Sequence, residues 1–253
     1  MAKLHQNKLM DRMMADLKPS ERILCALDTI DTEQACALAN AIGPHVGGVK
    51  LGLEFFGANG PQGFKSVLKA HQDIFLDLKL HDIPNTVAKA IHSLMPLRPK
   101  ILTIHTAGGS AMMAAAANAA MEAAETIGCP RPIIVGVTIL TSLDDDDLNA
   151  VGYQENVSDQ VLKMAQLAKV SGLDGVVCSP HEIKLIKEAC GKDFKLVVPG
   201  IRPAGSAKGD QKRVMTPKEA VELGADYLVI GRPITQADDP ATAAQAIAEE
   251  INS

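Results

Sequence analysis

Aromatic residues are scarce in this chain, which has no tryptophan, two tyrosines and five phenylalanines among 253 residues. Surfaces that bind nucleic acid by base stacking need exposed aromatic rings, so the scarcity argues against such a surface. The 25 lysines and arginines are outnumbered by 30 acidic residues, and they form no basic cluster. The composition therefore predicts no nucleic-acid partner, although a protein with a net charge of -5 can still contain a local pocket for an anion.

Long apolar runs are also absent. No window of the sequence reaches the roughly 18 apolar residues that a membrane-spanning helix requires. Residues 1–19 mix charged and apolar residues at helical spacing and lack the apolar core of a signal peptide. We therefore expect a cytoplasmic protein with no membrane partner.

Cysteine motifs of a metal site or a disulfide framework are missing. The cysteines are odd in number, none forms a C-x-x-C motif, and no histidine stands at metal-ligand spacing from them. The sequence thus predicts reduced, buried thiols and no metal site. The five residues are Cys25, Cys36, Cys129, Cys178 and Cys190.

The chain does contain a regular alternation of short apolar runs and helical patterns, which is typical of β-α-β units around a parallel sheet. Eight such units follow one another without a Pro-, Gly- or Ser-rich linker, and the length suits one α/β barrel. We predict an α/β fold, a (β/α)8 TIM barrel in a single domain over residues 1–253, with an extra N-terminal helix at 4–17. The predicted strands are 23–28, 48–52, 74–79, 101–105, 133–138, 175–179, 195–199 and 227–231, and the predicted helices are 32–41, 61–72, 85–95, 110–127, 159–171, 181–189, 217–223 and 241–251.

The third predicted strand ends in charge. Because side chains alternate between the two faces of a strand, Asp77 and Lys79 point the same way, and Asp82 follows just past the strand end. An isolated pair of this kind would be an ordinary ion pair on the solvated face of an edge strand. Here the flanking residues 74–76 are continuously apolar, as in a parallel strand covered on both faces, and this favours a functional role.

Charged residues also mark other strand ends. Lys50 lies within a short apolar strand and has few routes to water except at the open end of a barrel. Asp28, at the end of the first strand, is by itself more typical of a turn. His105 closes the fourth strand, where a position in the core or behind the site is favoured over one lining the mouth.

Two late loops are candidates for binding phosphate, since barrels commonly hold phosphate at the loops after strands seven and eight. The first is at 198–205 and is followed by polar residues up to 213. The second contains Gly231, which lets the backbone approach an anion, and Arg232, whose guanidinium is a forked donor. A Gly-Arg-Pro sequence alone is as well explained by a structural turn.

Four adjacent carboxylates follow the fifth strand at 144–147. Such a run usually forms a solvated loop, so we interpret it as a mobile lid in preference to a cation site.

Together these segments resemble the orotidine 5'-phosphate decarboxylases of the bacterial type, and the resemblance spans nearly the whole chain. The run D-x-K-x-x-D-I-P-N-T at 77–86 is the most specific part. The other matching segments are LCALD at 24–28, VKLG at 49–52, VTILTS at 137–142, PGIRP at 199–203 and VIGRP at 229–233.

The resemblance implies a (β/α)8 barrel that removes the C6 carboxylate of orotidine 5'-monophosphate (OMP). The products would be UMP and carbon dioxide, at the last step of de novo pyrimidine synthesis, and neither a metal nor an organic cofactor would be needed. It also implies a homodimer in which each subunit contributes Asp82, Ile83 and Thr86 to the site of its partner.

The resemblance further assigns roles to residues of this chain. Lys50, Asp77, Lys79 and Asp82 would form an alternating charge array, in which Lys79 stabilises the C6 anion and then protonates it. The implied substrate contacts are Asp28 and Lys50 at the ribose, Thr141 and Pro199 at the pyrimidine, and Arg202, Gln211, Gly231 and Arg232 at the phosphate. We expect the segment 205–213 to close over the phosphate and bring Gln211 into contact.

Two rival hypotheses are open at this stage. A magnesium-dependent sugar-phosphate enzyme of the same superfamily, such as a keto-sugar phosphate decarboxylase or a hexulose phosphate synthase, shares D-x-K-x-x-D. A non-catalytic nucleotide sensor could also use an inherited barrel. The D-I-P-N-T continuation at 82–86 and the spacing from Arg202 to Gln211 argue against the first, and the complete charge array argues against the second.

Overall fold

The computed structural model describes residues 17–71, 73–203 and 215–253. Eight parallel strands close into a barrel in sequence order, and the last strand pairs with the first. The prediction of a (β/α)8 barrel is confirmed. The strands are β1 (Ile23–Ala26), β2 (Gly48–Gly52), β3 (Ile74–Leu80), β4 (Ile101–His105), β5 (Ile133–Val137), β6 (Gly175–Val177), β7 (Lys195–Pro199) and β8 (Tyr227–Ile230).

Helices follow the strands and surround the barrel. Because each helix buries one apolar face against the sheet, the strands are covered on their outer side. The α-helices are α1 (Thr32–Ile42), α2 (Leu53–Ala70), α3 (Pro84–Leu94), α4 (Gly109–Ile127), α5 (Asp145–Ala150), α6 (Val157–Val170), α7 (Ile183–Cys190), α8 (Pro217–Leu223), α9 (Arg232–Thr235) and α10 (Pro240–Asn252).

The barrel has two apolar cores, because successive residues of a strand face opposite sides. In β2, Val49 and Leu51 face the helices and are fully buried there, whereas Lys50 between them faces the barrel interior. The interior core lies at the amino ends of the strands. It consists of Leu24, Phe75, Ile101, Val135, Val197 and Tyr227.

The inward positions one step further along the strands form the next layer, at the carboxyl end of the barrel. Two residues beyond Phe75 comes Asp77, and two beyond Ile101 comes Thr103. The apolar floor thus supports a polar layer above it. Active sites of β/α barrels lie at the carboxyl ends of the strands, so we expect the active site in this layer.

Several strand ends differ from the prediction. Asp28, Thr138, Ser179 and Gly231 lie just beyond β1, β5, β6 and β8, whereas β3 continues to Leu80. The apolar pattern of a segment predicts where a strand lies. The last paired residue also depends on the neighbouring strand, and the pattern of one segment gives no information about that neighbour.

The second helix also differs. It was expected at 61–72, but α2 begins at Leu53 and bends at Gly60, whose φ of 56° and ψ of -156° are not helical. The first half of the helix was not predicted because Gly60 and Pro61 are both typical of a loop. Residue 72, the last of the predicted helix, lies outside the described residues.

The predicted acidic loop at 144–147 is instead the start of α5. The carboxylate of Asp144 accepts hydrogen bonds from the backbone N–H groups of Asp146 and Asp147, both at 3.1 Å, and caps the helix. Carboxylates in a first turn are stabilised by the exposed N–H groups of the helix and its dipole. The loop assignment was therefore wrong.

Three further expectations can be compared with the structure. The predicted N-terminal helix lies outside the described residues except for Leu17, which is not helical and packs against the interior core. All five cysteines are free, but only Cys25, Cys178 and Cys190 are buried; Cys36 and Cys129 are partly exposed. In the described ranges, no helix has both the length and the apolar character needed to cross a membrane.

Candidate active site at the carboxyl end of the barrel

Charged side chains from β2, β3 and the loop after β1 form a line across the mouth of the barrel. Oδ2 of Asp77 is 2.7 Å from Nζ of Lys79 and 3.8 Å from Nζ of Lys50. Nζ of Lys50 is in turn 3.2 Å from Oδ1 of Asp28. The order Asp28, Lys50, Asp77, Lys79 alternates in sign, so each ammonium group has a carboxylate beside it.

The side chains of Asp77 and Lys50 are the most buried of this line, each only 12% exposed. A carboxylate in such a place needs partners for both oxygens. Oδ2 has the two lysines, and Oδ1 accepts a hydrogen bond from the hydroxyl of Thr103 at 3.0 Å. The carboxylate is therefore held from two sides, whereas the side chain of Lys79 is 29% exposed at the mouth.

The strand that carries Asp77 and Lys79 is irregular at this point. Leu76 pairs with Leu102, but the next pair is Leu80 with Ile104, so β3 has two more residues than β4 over the same stretch. Lys79 has a φ of 51°, in the left-handed region, and its N–H donates to the hydroxyl of Thr103 at 2.8 Å. Bulges of this kind re-aim side chains and are frequent beside active sites.

A cavity of about 210 Å³ opens beside the charged line. Lys50, Asp77 and Lys79 lie on one side of it, and Thr141 and Pro199 also contribute to its wall. The other residues around it are mainly apolar: Phe75, Val137, Ile139, Leu140, Val177, Cys178 and Val229. Apolar walls with a few polar groups on one side are typical of a small-molecule site.

Gly231, predicted at the phosphate, lies close to the charged line. A Cβ added there would be 3.4 Å from Cβ of Ala26 and 3.8 Å from Oδ2 of Asp28. The loop after β8 and the end of β1 are therefore neighbours at the same edge of the mouth. Arg232 follows as the exposed first residue of α9.

The first phosphate loop is described only in part. Arg202 lies three residues beyond Pro199; its side chain is buried and its Nη1 donates to the carbonyl of Ile201 at 2.9 Å. Gln211 and the segment 205–213 lie outside the described residues.

Asp82, Ile83 and Thr86 do not line the cavity of their own chain. All residues from 81 to 86 are exposed, and Ile83 is 66% exposed. The carboxylate of Asp82 accepts a hydrogen bond from the N–H of Ile83 at 2.7 Å, just before Pro84 starts α3. The structure thus separates this group from Lys50, Asp77 and Lys79 within one chain.

His105 is partly buried and does not line the cavity. Its ring is 5.4 Å from the ring of His81, centroid to centroid. Burial lowers the pKa of His105, and the nearby charges of His81 and Lys79 act in the same direction, while Asp77 opposes them.

Residues 21–247 match the family model described as the orotidine 5'-phosphate decarboxylase / HUMPS family. The chain belongs to this family. It is 51% identical over 239 residues to the orotidine 5'-phosphate decarboxylase of Moorella thermoacetica, covering 94% of this chain and 95% of that one. It is 52% identical over 229 residues to the enzyme of Paramagnetospirillum magneticum, covering 90% and 97% of the two chains.

The fold agrees with these similarities. The crystal structure of orotidine 5'-phosphate decarboxylase from Lactobacillus acidophilus matches with a TM-score of 0.81 at 41% identity, over 91% of this chain and 99% of that one. The predictions of the family and of a decarboxylase, which is a carboxy-lyase, are confirmed.

A second and larger cavity, of about 670 Å³, adjoins the first and shares Ile139, Leu140 and Thr141 with it. Asp144, Asp145 and Glu182 are among its acidic residues. No group of three or more potential metal-binding side chains occurs in the described parts of the chain, these acidic residues included.

Sequence reasoning missed Thr103, which is fully buried and bonded to both Asp77 and Lys79. A signal for it was present. Thr103 is the only polar residue before His105 in the apolar strand β4, and the alternation of strand faces places it on the same side as His105.

Proposed function

We propose that this chain converts OMP to UMP and carbon dioxide, the last step of de novo pyrimidine synthesis, and that Lys79 carries the chemistry. The observation that carries the proposal is the line of Asp28, Lys50, Asp77 and Lys79 beside a cavity at the mouth of the barrel. Relatives about 50% identical over at least nine tenths of this chain are named orotidine 5'-phosphate decarboxylases.

The cavity supports a small, flat ring as the reacting part of the substrate. Its volume of about 210 Å³ suits one heterocyclic ring more than a whole nucleotide, so the ribose and phosphate would extend toward the loops. Apolar side chains such as Val137 and Val229 form most of the wall against which the ring would lie. Thr141 supplies a hydroxyl for the polar edge of a pyrimidine.

The chemistry follows from the position of the ammonium group. When the bond between C6 and the carboxylate carbon breaks, carbon dioxide leaves and the electron pair stays on C6 as a localised anion. A fixed cation beside C6 stabilises that anion more than it stabilises the substrate, which lowers the barrier. Lys79 is that cation, and it then gives a proton from Nζ to C6 and regains one from water.

Asp77 has two roles in this mechanism. Its Oδ2 keeps the ammonium of Lys79 in place at 2.7 Å. The substrate carboxylate would bind in the same region, and repulsion between two carboxylates is relieved when carbon dioxide leaves uncharged. Lys50, 3.8 Å from the same oxygen, limits the repulsion and reaches with Asp28 toward the ribose.

The remaining predicted contacts are between protein side chains or backbone and the phosphate of the substrate. Gly231 immediately precedes the short helix α9, and Arg232, its first residue, offers a guanidinium for bidentate contact. Arg202 and Gln211 would complete the grip from the loop after β7. Binding energy collected at the phosphate can then be used to order the site around the ring.

A homodimer would complete the site. Asp82 is exposed and does not line the cavity of its own chain, and Ile83 next to it is an exposed apolar side chain. Both features are accounted for if residues 81–86 pack against a second copy of the chain. Asp82, Ile83 and Thr86 would then enter the partner site, where Asp82 would add a second carboxylate beside Lys79.

The deciding experiment measures the loss of OMP absorbance and the formation of UMP in the presence of EDTA. We expect turnover that is unchanged by EDTA. If the protein instead turns over a sugar phosphate with strict dependence on magnesium, and does not turn over OMP, the result would support the magnesium-dependent sugar-phosphate enzyme. Tight binding of UMP in calorimetry without any turnover would support a nucleotide sensor.

A further inference from the structure

The hydroxyl of Thr103 connects the two residues at the centre of the charged line. Its oxygen is 2.8 Å from the backbone nitrogen of Lys79 and 3.0 Å from Oδ1 of Asp77. The N–H can only donate, so the hydroxyl accepts from it, and the hydroxyl proton is left to be donated to the carboxylate. One fully buried group thus satisfies a donor and an acceptor at once.

The position of Thr103 corresponds to the irregularity in β3. Thr103 lies between Leu102 and Ile104, whose partners in β3 are Leu76 and Leu80. The three residues between those partners include both Asp77 and Lys79. The Thr103 hydroxyl therefore bonds to the bulged segment at the point where the regular pairing of backbone groups is interrupted.

The bulge needs such support. The left-handed region is disfavoured for a residue with a side chain, because Cβ comes too close to the following carbonyl oxygen, and Lys79 has a φ of 51°. Conformations of this kind persist when the surroundings fix them. The bond from Lys79 N–H to Thr103 fixes the backbone, and the bond to Oδ1 of Asp77 leaves Oδ2 directed toward the two lysines.

We propose that Thr103 is a positioning residue for the proposed decarboxylation, acting through its hydroxyl on Asp77 and on the backbone of Lys79. The inference rests on the proposed function. Thr103 does not line the cavity, so it acts on the substrate only through these two residues. Its removal shifts the Lys79 ammonium from C6 without removing any group that binds the ribose or the phosphate.

The test compares Thr103→Val, which keeps the shape and loses the hydroxyl, with Thr103→Ser, which keeps the hydroxyl. We expect Thr103→Val to lower kcat by about 10- to 100-fold, because a small displacement of a catalytic group has an effect of that size. The KM for OMP and the dissociation constant of UMP should change little. Thr103→Ser should restore most of kcat.

Thr106→Val is the matched control. Thr106 is also buried, and its hydroxyl donates to the carbonyl of Val137 at 2.8 Å, but it contacts neither Asp77 nor Lys79 in the described structure. It should lose thermal stability to a similar degree and keep kcat. If Thr103→Val does not fold, Thr103→Cys, a weaker hydrogen-bonding group of similar size, takes its place with the same expected fall in kcat.

Three results would overturn the inference while leaving the proposed function intact: unchanged kcat in Thr103→Val, equal losses in Thr103→Val and Thr103→Ser, or an equal loss in Thr106→Val. A wild-type protein that binds UMP but does not decarboxylate OMP would overturn the proposed function itself, and the positioning role with it. The two failures are therefore distinguishable in one set of assays.

Discussion

Asp77 and Lys79 make an ion pair of 2.7 Å although β3 is bulged between Leu76 and Leu80 and Lys79 has a positive φ. In a regular strand, residues two apart already share a face. The bulge therefore changes where the pair points more than whether it forms. This direction, toward the cavity and the neighbouring Lys50, is what the proposed chemistry needs.

Replacing Lys79 by Ala should lower kcat for OMP about 1,000-fold or more, because it removes a preorganised charge that stabilises the C6 anion. The affinity for UMP should fall far less, since UMP has no developing anion. Steady-state assays and calorimetry measure the two effects.

Lys184→Ala is the control for that substitution. Lys184 is 75% exposed on α7 and pairs only loosely with Glu188, at 3.9 Å. It should retain wild-type kcat. Similar kcat values for Lys79→Ala and Lys184→Ala would contradict the role of Lys79.

Mixing two inactive homodimers tests whether Asp82 serves the partner subunit. Lys79→Ala and Asp82→Ala should each be severely impaired, but a heterodimer of the two contains one site with both residues intact. Activity should therefore reappear after subunit exchange, because one of the two sites in each heterodimer is complete.

The matched control mixes Lys79→Ala with Asp77→Ala. These residues contact each other within one chain, so neither site of that heterodimer is complete and no recovery is expected. Failure of the Asp82→Ala mixture to recover, with heterodimers demonstrated by native mass spectrometry, would refute the shared site.

The fold could be predicted because its signals are local. Each strand is a short apolar run and each helix has its own period, so eight units could be counted without knowledge of the contacts between them. Counting the units did not show which residues of neighbouring strands pair with each other. Strand ends such as Ala26 and Leu80 are set by neighbouring strands, and the bend at Gly60 concealed the start of α2.

The site was predictable where charge appears in an apolar strand, as at Lys50 and Asp77, because burial of a charge requires a reason. Thr103 was missed because a threonine is common in strands, and its two partners are on another strand. The acidic run at 144–147 was misread because four adjacent carboxylates usually form a solvated loop. Asp144 at the cap and three acids in the first turn are in fact a favourable start for a helix.

The stability of the protein should decrease at mildly acid pH in part through His105. Burial lowers the pKa of His105 from its ordinary value of 6.5, and the charges of His81 and Lys79 lower it further. The unfolded chain therefore binds a proton at a higher pH than the folded chain. The stability that the neutral form of His105 contributes is fully present above pH 6.5 and is lost as the pH falls toward the pKa of the folded state.

Replacing His105 by Gln should make the free energy of unfolding less steep in pH below 6.5, by at most about 1.4 kcal/mol per pH unit. Urea denaturation at a series of pH values measures the slope. His92→Gln is the control, because His92 is on the surface, 3.9 Å from Glu122. A slope unaffected by His105→Gln would show that other groups account for the acid sensitivity.

Asp226 should be important for stability and not for catalysis. It immediately precedes β8, at the end of the barrel opposite the charged line, and its carboxylate contacts Lys187 at 2.8 Å and Lys195 at 3.1 Å. Oδ2 also accepts from the N–H of Leu196 at 2.9 Å, so this group joins β7, β8 and α7. All three charged side chains are mostly buried, with exposed fractions of 13–21%.

Replacing Asp226 by Asn leaves two partly buried lysines without a counter-charge, and it should lower the free energy of unfolding by about 3 kcal/mol. The kcat of the folded variant should equal that of wild type, because no residue of the charged line contacts Asp226 in the described structure. Glu188→Gln removes only an exposed i,i+4 pair and should be neutral in both measurements. Equal stability of the Asp226→Asn and Glu188→Gln variants in urea would show that the Asp226 contacts do not hold the amino end of the barrel together.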